Sequence, residues 1–378
     1  MFPVGDTAIS GAWVEPEPLV EPPAPGGPTD ARREPVAYVV QDSDRDPALV
    51  AVFGLGDPAG PKLLEPLQIT DPQGLIAGTF AAAQARVLDA SGLPRTEPPK
   101  PRAAQQLSLD MEGIAACTEG VKLDTESPGP LGYGREFWVV CEGKGHLVDG
   151  RTVEGKGAFR RPNLLLKLAP DGTRRSLMVR SVFELPGEIA RHQETYGLEG
   201  VASGPKGHVY VAFQRGWPRA GDPKGFTRVG RFNPDDQSWA FAHYPLDRYA
   251  QNAPGPKSPK SSDEEAWVGV SELSRAPDGR LLVLERDNQR GDLARVQRIY
   301  AVDVGAMDFR GAGPLPVLKK ELVYDIIDNG VRDPRYGVSI RKPEALGVLG
   351  AHQLLLLADD DGKRGSKKGT PFFFLRTR

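Results

Sequence analysis

Glu199-Gly200-Val201-Ala202-Ser203-Gly204-Pro205-Lys206-Gly207-His208-Val209-Tyr210-Val211-Ala212-Phe213-Gln214 reads as a strand opening on a carboxylate, a Gly-Pro-Lys-Gly turn, and a second apolar strand closing on an amide. The same register returns around it. Glu112-Gly113-Ile114 precedes Phe137-Trp138-Val139-Val140-Cys141-Glu142, Glu272-Leu273 precedes Leu281-Leu282-Val283-Leu284-Glu285, and Glu344-Ala345-Leu346 precedes Leu354-Leu355-Leu356-Leu357-Ala358-Asp359. A fifth half-copy, Tyr38-Val39-Val40-Gln41-Asp42, has no obvious partner strand before it. Hairpins repeated in this way mark a radially repeated sheet. The predicted fold is therefore all-β, a β-propeller of five to seven blades with six expected.

Proline density sets the organisation outside the repeats. Residues 1–35, with Glu15-Pro16-Glu17-Pro18 and Pro22-Pro23-Ala24-Pro25, read as an extended arm, because proline removes backbone donors and fixes φ. Residues 36–378 then form the propeller. Thr79–Leu88 and Gly187–Glu194 read as short helical insertions, Pro98-Pro99-Lys100-Pro101 as a linker, and 252–265 as a surface loop. Ala169-Pro170-Asp171-Gly172, Asn233-Pro234-Asp235-Asp236 and Ala276-Pro277-Asp278-Gly279 are turn sequences, and strands spaced by turns argue for antiparallel pairing.

Composition narrows the function classes. With 48 basic and 50 acidic residues and a formal charge of −2, the chain carries no electrostatic footprint for nucleic acid or an anionic membrane. No window approaches the run of about 18 apolar residues that spans a bilayer, and Met1–Asp6 lacks the basic and apolar regions of an export signal. The expected partner is a small molecule, met by a monomer. The 44 glycines and 36 prolines exceed the average usage of about 12 %, as many tight turns require. Transferring the register of the uninterrupted copy sets Cys141 opposite the Asp110–Glu112 end and Cys117 several residues away. At about 3.3 Å per residue that exceeds the ~7 Å limit for a bridge, so free thiols are expected.

The first strand of each propeller blade lines the axis and the second runs back beside it, so residues opening one and closing the other meet at one end of the disc. Glu112 with Glu142, Glu199 with Gln214, Glu272 with Glu285, and Glu344 with Asp359 should converge there. Like charges about 4 Å apart repel by several kcal/mol, so such a ring calls for a compensating cation. Oxygen donors suit Ca²⁺ better than Zn²⁺, which makes Glu112, Glu199, Glu272 and Glu344 the expected metal ligands. The competing reading is that each Glu caps its own blade by accepting backbone N–H groups. Asp42-Ser43-Asp44-Arg45-Asp46 has the alternation of a calcium loop without its Gly or distal Glu. Arg215, Arg286 and Lys144 lie near the second-strand ends, where a phosphate would be bound, and plain ion pairing is the alternative.

Glu142, Glu285 and Asp359 complete the shell or act as base, and His146, four residues after Glu142, is a further acid or base candidate. The basic cluster Lys363, Arg364, Lys367 and Lys368 reads as a solvated face or a phosphate contact. There is no G-x-S-x-G elbow, P-loop or H-E-x-x-H motif, which leaves metal-activated water as the most economical nucleophile.

Gly197-Leu198-Glu199-Gly200-Val201 and Gly269-Val270-Ser271-Glu272-Leu273, the latter followed by Pro277-Asp278-Gly279-Arg280-Leu281-Leu282-Val283-Leu284-Glu285-Arg286-Asp287, resemble the phytase-like (esterase-like activity of phytase) bacterial propeller family. Asp110-Met111-Glu112-Gly113-Ile114, Phe137–Glu142 and Asp359-Asp360-Asp361-Gly362 are similar to the same pattern. The resemblance implies a β-propeller, usually exported to the periplasm or beyond, that hydrolyses a phosphoester or ester with calcium. Gln214 in place of a carboxylate, the missing Gly after Glu272 and the missing export signal depart from it. A lactonase-type calcium propeller and a non-catalytic binding propeller are the rival readings.

Overall fold

Branched and aromatic runs broken by Gly, Pro and Asp turns can bury both faces only by stacking sheet upon sheet, and the chain does so. The structure, a computed structural model, describes residues 8–15, 35–43, 48–64, 66–89, 91–93, 109–117, 135–172, 176–249, 266–289, 291–305, 307–311, 313–332, 337, 339–359 and 371–377. The first blade holds β1 (Ala8–Glu15), β2 (Val36–Ser43) and β3 (Leu49–Gly54), with the short β4 (Lys62–Leu63) and β5 (Leu67–Thr70) on β3. After helix α1 (Leu75–Arg86) comes the second blade: β6 (Leu109–Ala116), β7 (Phe137–Cys141), a small hairpin of β8 (Leu147–Val148) and β9 (Arg151–Thr152), then β10 (Leu164–Pro170) and β11 (Ser176–Glu184). The short helix α2 (Gly187–Ala190) leads into the third, β12 (Leu198–Ser203), β13 (Val209–Phe213), β14 (Phe226–Asn233) and β15 (Ser238–Pro245). The fourth is β16 (Val268–Arg275), β17 (Leu281–Asp287), β18 (Gln297–Val302) and β19 (Lys320–Asp325), and the fifth is β20 (Pro343–Gly350), β21 (Gln353–Ala358) and β22 (Phe372–Arg376).

Five blades among the described residues sit at the lower end of the expected range. Each apolar seam joins two neighbouring blades. Val139 and Leu166 pack toward Tyr38 and Val52, Val140 and Leu165 toward Val201 and Phe213, and Ala212 and Tyr244 toward Val283. Leu284 and Ile299 pack toward Leu356, and the ring closes where Ile9, Val39 and Phe53 meet Leu355 and Leu357. Fully burying each such side chain contributes about 1.5–3 kcal/mol, so the seams dominate stability. Blades one and two are also joined through the β2–β6 and β5–β11 pairings.

The structure departs from the expected arm at Ala8–Glu15, which is the innermost strand of the first blade. It is the partner that the Tyr38–Asp42 half-copy lacks in the sequence. Its Ile9, Ala12 and Val14 are buried, and flanking prolines hid so short a run. Cys117 and Cys141 are free and buried, and Cys141 faces Met111. The linker around Pro98, loop 252–265, Asp44–Asp46 and the Lys363–Lys368 cluster lie outside the described residues. No helix among the described residues is long and apolar enough to cross a membrane.

One irregularity recurs in all five innermost strands. A β-bulge places an extra residue in each: Ser10 in β1, Glu112 in β6, Glu199 in β12, Ser271 in β16 and Glu344 in β20. The residue after the bulge is Gly11, Gly113, Gly200, Glu272 and Ala345 in turn. A Cβ at Gly11 would lie 2.5 Å from the Glu112 carbonyl oxygen, and one at Gly200 would collide with Leu273 N, so backbones touch around the axis. Into this space Glu272 sends its side chain. It is wholly buried and accepts N–H groups from Leu273 (2.8 Å), Ala12 (3.1 Å) and Val201, so one carboxyl ties together blades one, three and four. Burial pushes its pKa well above the usual carboxylate range. At the opposite end of these strands from the bulges, Trp13, Ile114, Val201, Leu273 and Val348 line a cavity of about 330 Å³.

Replacing Glu272 with Ala should strand three buried donors at about 1–3 kcal/mol each and lower the urea midpoint accordingly. Glu272→Gln, which keeps the volume but only one of the two accepting oxygens, should recover part of the loss.

Candidate functional site

The pairing registers identify which side chains share the mouth of the disc. In the second strands the equivalent positions are Glu142 opposite Asp110, Gln214 opposite Gly197, Arg286 opposite Gly269, and Asp359 opposite Lys342. The fourth blade is therefore displaced by one residue from its sequence reading. Ser271 and Arg286 hold the places assigned to Glu272 and Glu285, and a slip of one turns a side chain to the other face of a strand. Glu272 lies at the axis. Glu285, wholly buried, accepts the Tyr244 hydroxyl (2.5 Å), the Asp247 N–H (3.0 Å) and the Lys320 ammonium. Its burial raises its pKa. Lys320 also pairs with Asp247 (2.7 Å), which Arg298 holds as well (2.5 Å).

Arg286 answers part of the ring's charge. Its guanidinium grips Glu344 through two bonds, Nη2 to Oε1 at 2.5 Å and Nε to Oε2 at 3.2 Å, and is buried. Burial opposes its charge, but Glu344, Glu199 and Asp359 together hold its pKa above the usual value. Lys342 reaches Asp359 at 3.2 Å. Arg286 thus places a positive charge beside Glu344, Glu199 and Asp359, and it is already engaged on Glu344.

A second acidic group lies in the second blade. Asp110, Glu112 and Glu142 each offer an oxygen, and these lie within 4.8 Å of one another. Two ligands on opposite sides of a calcium ion at about 2.4 Å would be about as far apart, so the set fits one hard cation. Arg161 pairs with Asp110 and reaches the Glu142 carbonyl oxygen at 3.3 Å. Glu142 accepts Gly197 N–H at 2.8 Å and the Tyr196 N–H, yet burial, with Asp110 adding to it, pushes its pKa up to about 7. Asp110 escaped the candidate ligand set, although its place two residues before Glu112 was a usable signal. Arg161, on β10's approach, carried none.

Arg215 stands at the end of the third blade's second strand, half-buried, 5.0 Å from the Tyr196 ring and 4.8 Å from the Trp267 ring. Lys144 exchanges backbone hydrogen bonds with Arg161 and Arg160. His146 lies against Gly157, outside the acidic group.

Fold and site together define a β-propeller with an acidic mouth. The chain belongs to the phytase-like family (esterase-like activity of phytase), which it matches over residues 31–362. No curated protein matches it. Among solved structures it is similar to the PQQ-bound form of aldose sugar dehydrogenase from Streptomyces coelicolor, at 13 % identity over 98 % of this chain and 99 % of that one, with a TM-score of 0.34. A luciferin-regenerating enzyme is similar at 10 % identity over 93 % and 69 % (TM-score 0.37), and a putative 6-phosphogluconolactonase from Bacteroides uniformis at 12 % over 84 % and 100 % (TM-score 0.24). Likenesses this distant carry no argument about activity.

A folded-state pKa of about 7 against 4.5 unfolded means that the native protein binds the extra proton between those values. The ion-free protein should therefore lose stability as pH rises from 4.5 to 7, and Glu142→Gln should flatten that slope in chemical unfolding. Calcium affinity by calorimetry should rise over the same interval, since the ion displaces the proton. It should fall at least about tenfold in Glu112→Gln, with Glu272→Gln close to wild type.

Proposed function

We propose that this protein is a metal-dependent hydrolase of small-molecule phosphomonoesters or related esters, acting at the acidic mouth of the propeller with calcium. The observation that carries the reading is the grouping of Asp110, Glu112 and Glu142, in which one member is poised near neutrality. These three would hold the ion. When bound, it supplies Lewis-acid polarisation of the ester oxygen.

The chain's own residues supply the rest. Glu142, fixed by Gly197 N–H, would give one carboxylate oxygen to the ion and accept a hydrogen bond from the attacking water. Arg161 fixes Asp110. Arg215 offers the planar donors that match phosphate oxygens, whereas Arg286 is occupied by Glu344. Glu199, Glu344 and Asp359, arranged about Arg286, shape the wall of the mouth and its field. Membership of the phytase-like family supports ester chemistry.

The test is phosphate release from inositol hexakisphosphate and p-nitrophenyl phosphate, with calcium and with chelator in parallel. Calcium-dependent release, rising with pH towards about 7 and lowered at least about 100-fold in Glu142→Gln, is the expected result. Full turnover in excess chelator would remove the metal from the reading. Turnover of lactones alone would move the activity to the lactonase class, and no turnover of any ester would leave a binding propeller.

A further inference from the structure

Tyr196 has a left-handed backbone, φ 65°, which residues with a side chain seldom adopt. Such strain persists only where the surroundings enforce it, and here both halves of the residue are employed. The backbone turn directs two successive N–H groups, those of Tyr196 and Gly197, at the carboxylate of Glu142. The ring faces Trp267. With Trp267, 5.0 Å away and inclined at 55°, it forms a V in which the Arg215 guanidinium is seated. The Tyr196 carbonyl also accepts Arg215 N–H at 3.4 Å.

Arg215 differs from the other arginines of the mouth. Arg161 is spent on Asp110 and Arg286 on Glu344, whereas Arg215 has neither a carboxylate partner nor a side-chain hydrogen bond among the described residues. Ring contact engages the flat face of a guanidinium and leaves the in-plane N–H groups unspent. A half-buried cation oriented by two rings, with its donors open, is a receptor for an anionic oxygen group.

We infer that Tyr196 is a positioning residue: its backbone fixes Glu142 and its ring fixes Arg215, so that the site selects esters carrying an anionic group, phosphate above all, over neutral esters. This rests on the hydrolase reading for its kinetic consequence but not for its binding consequence. Arg215 would meet the anion while the carboxylates act on the same ligand, and the two halves keep register because one residue holds both.

Inorganic phosphate binding to the chelator-treated protein, by calorimetry, tests the receptor directly. Tyr196→Phe should bind within about twofold of wild type, and Tyr196→Gly and Arg215→Gln at least about tenfold more weakly. Tyr196→Gly should keep calcium affinity within about threefold, since glycine accepts the left-handed backbone that serves Glu142. In turnover, Tyr196→Gly should raise KM for p-nitrophenyl phosphate about tenfold with KM for p-nitrophenyl acetate unchanged. Phosphate binding unaffected by Tyr196→Gly, or equal losses of phosphate and calcium affinity in that variant, would overturn the inference. If no ester is turned over but phosphate binding follows the predicted order, the receptor stands and only the hydrolase reading falls.

Discussion

The carboxyl of Glu272 is the constraint on which the rest depends. Five bulged strands converge on an axis so narrow that three of them need glycine where the fourth carries this glutamate. A bulge frees N–H groups from the ladder, and buried donors must find acceptors. One side chain answers three of them, from three blades, and so sets the radius at which the inner strands meet. That radius in turn fixes how closely Glu112, Glu199 and Glu344 approach at the mouth.

The mouth solves one electrostatic problem in two ways. Around Glu344, Glu199 and Asp359 the chain installs its own cation, Arg286, whose fork matches a carboxylate and cannot be displaced cheaply once buried. Around Asp110, Glu112 and Glu142 three carboxylates gather within 4.8 Å of one another, with Arg161 on Asp110. A rigid ion pair makes a wall, and a convergent set of oxygens makes a candidate site.

The propeller was legible because the Glu199–Gln214 hairpin is uninterrupted, with a tight turn that pins its register. The same register transferred correctly to Met111 opposite Cys141, despite the long insertion between those strands. It failed in the fourth blade for a specific reason: Glu272 and Glu285 mimic the repeat one residue late in both strands, so the pattern looks intact while the side chains face elsewhere. Ser271 and Arg286, which hold the equivalent places, could be found only from pairing. Strand β1 was hidden by the prolines that surround it, and Tyr196 offered no signal, since a backbone angle is not written in a residue's type.

The plug at the axis also bears on what a ligand meets. Among the described residues, the wholly buried Glu272 and the closely approaching backbones at Gly11 and Gly200 stand on the axis between the cavity at the far ends of the inner strands and the acidic mouth. A ligand reaching the acidic group therefore meets a floor of packed backbone and one buried carboxyl instead of an open central channel.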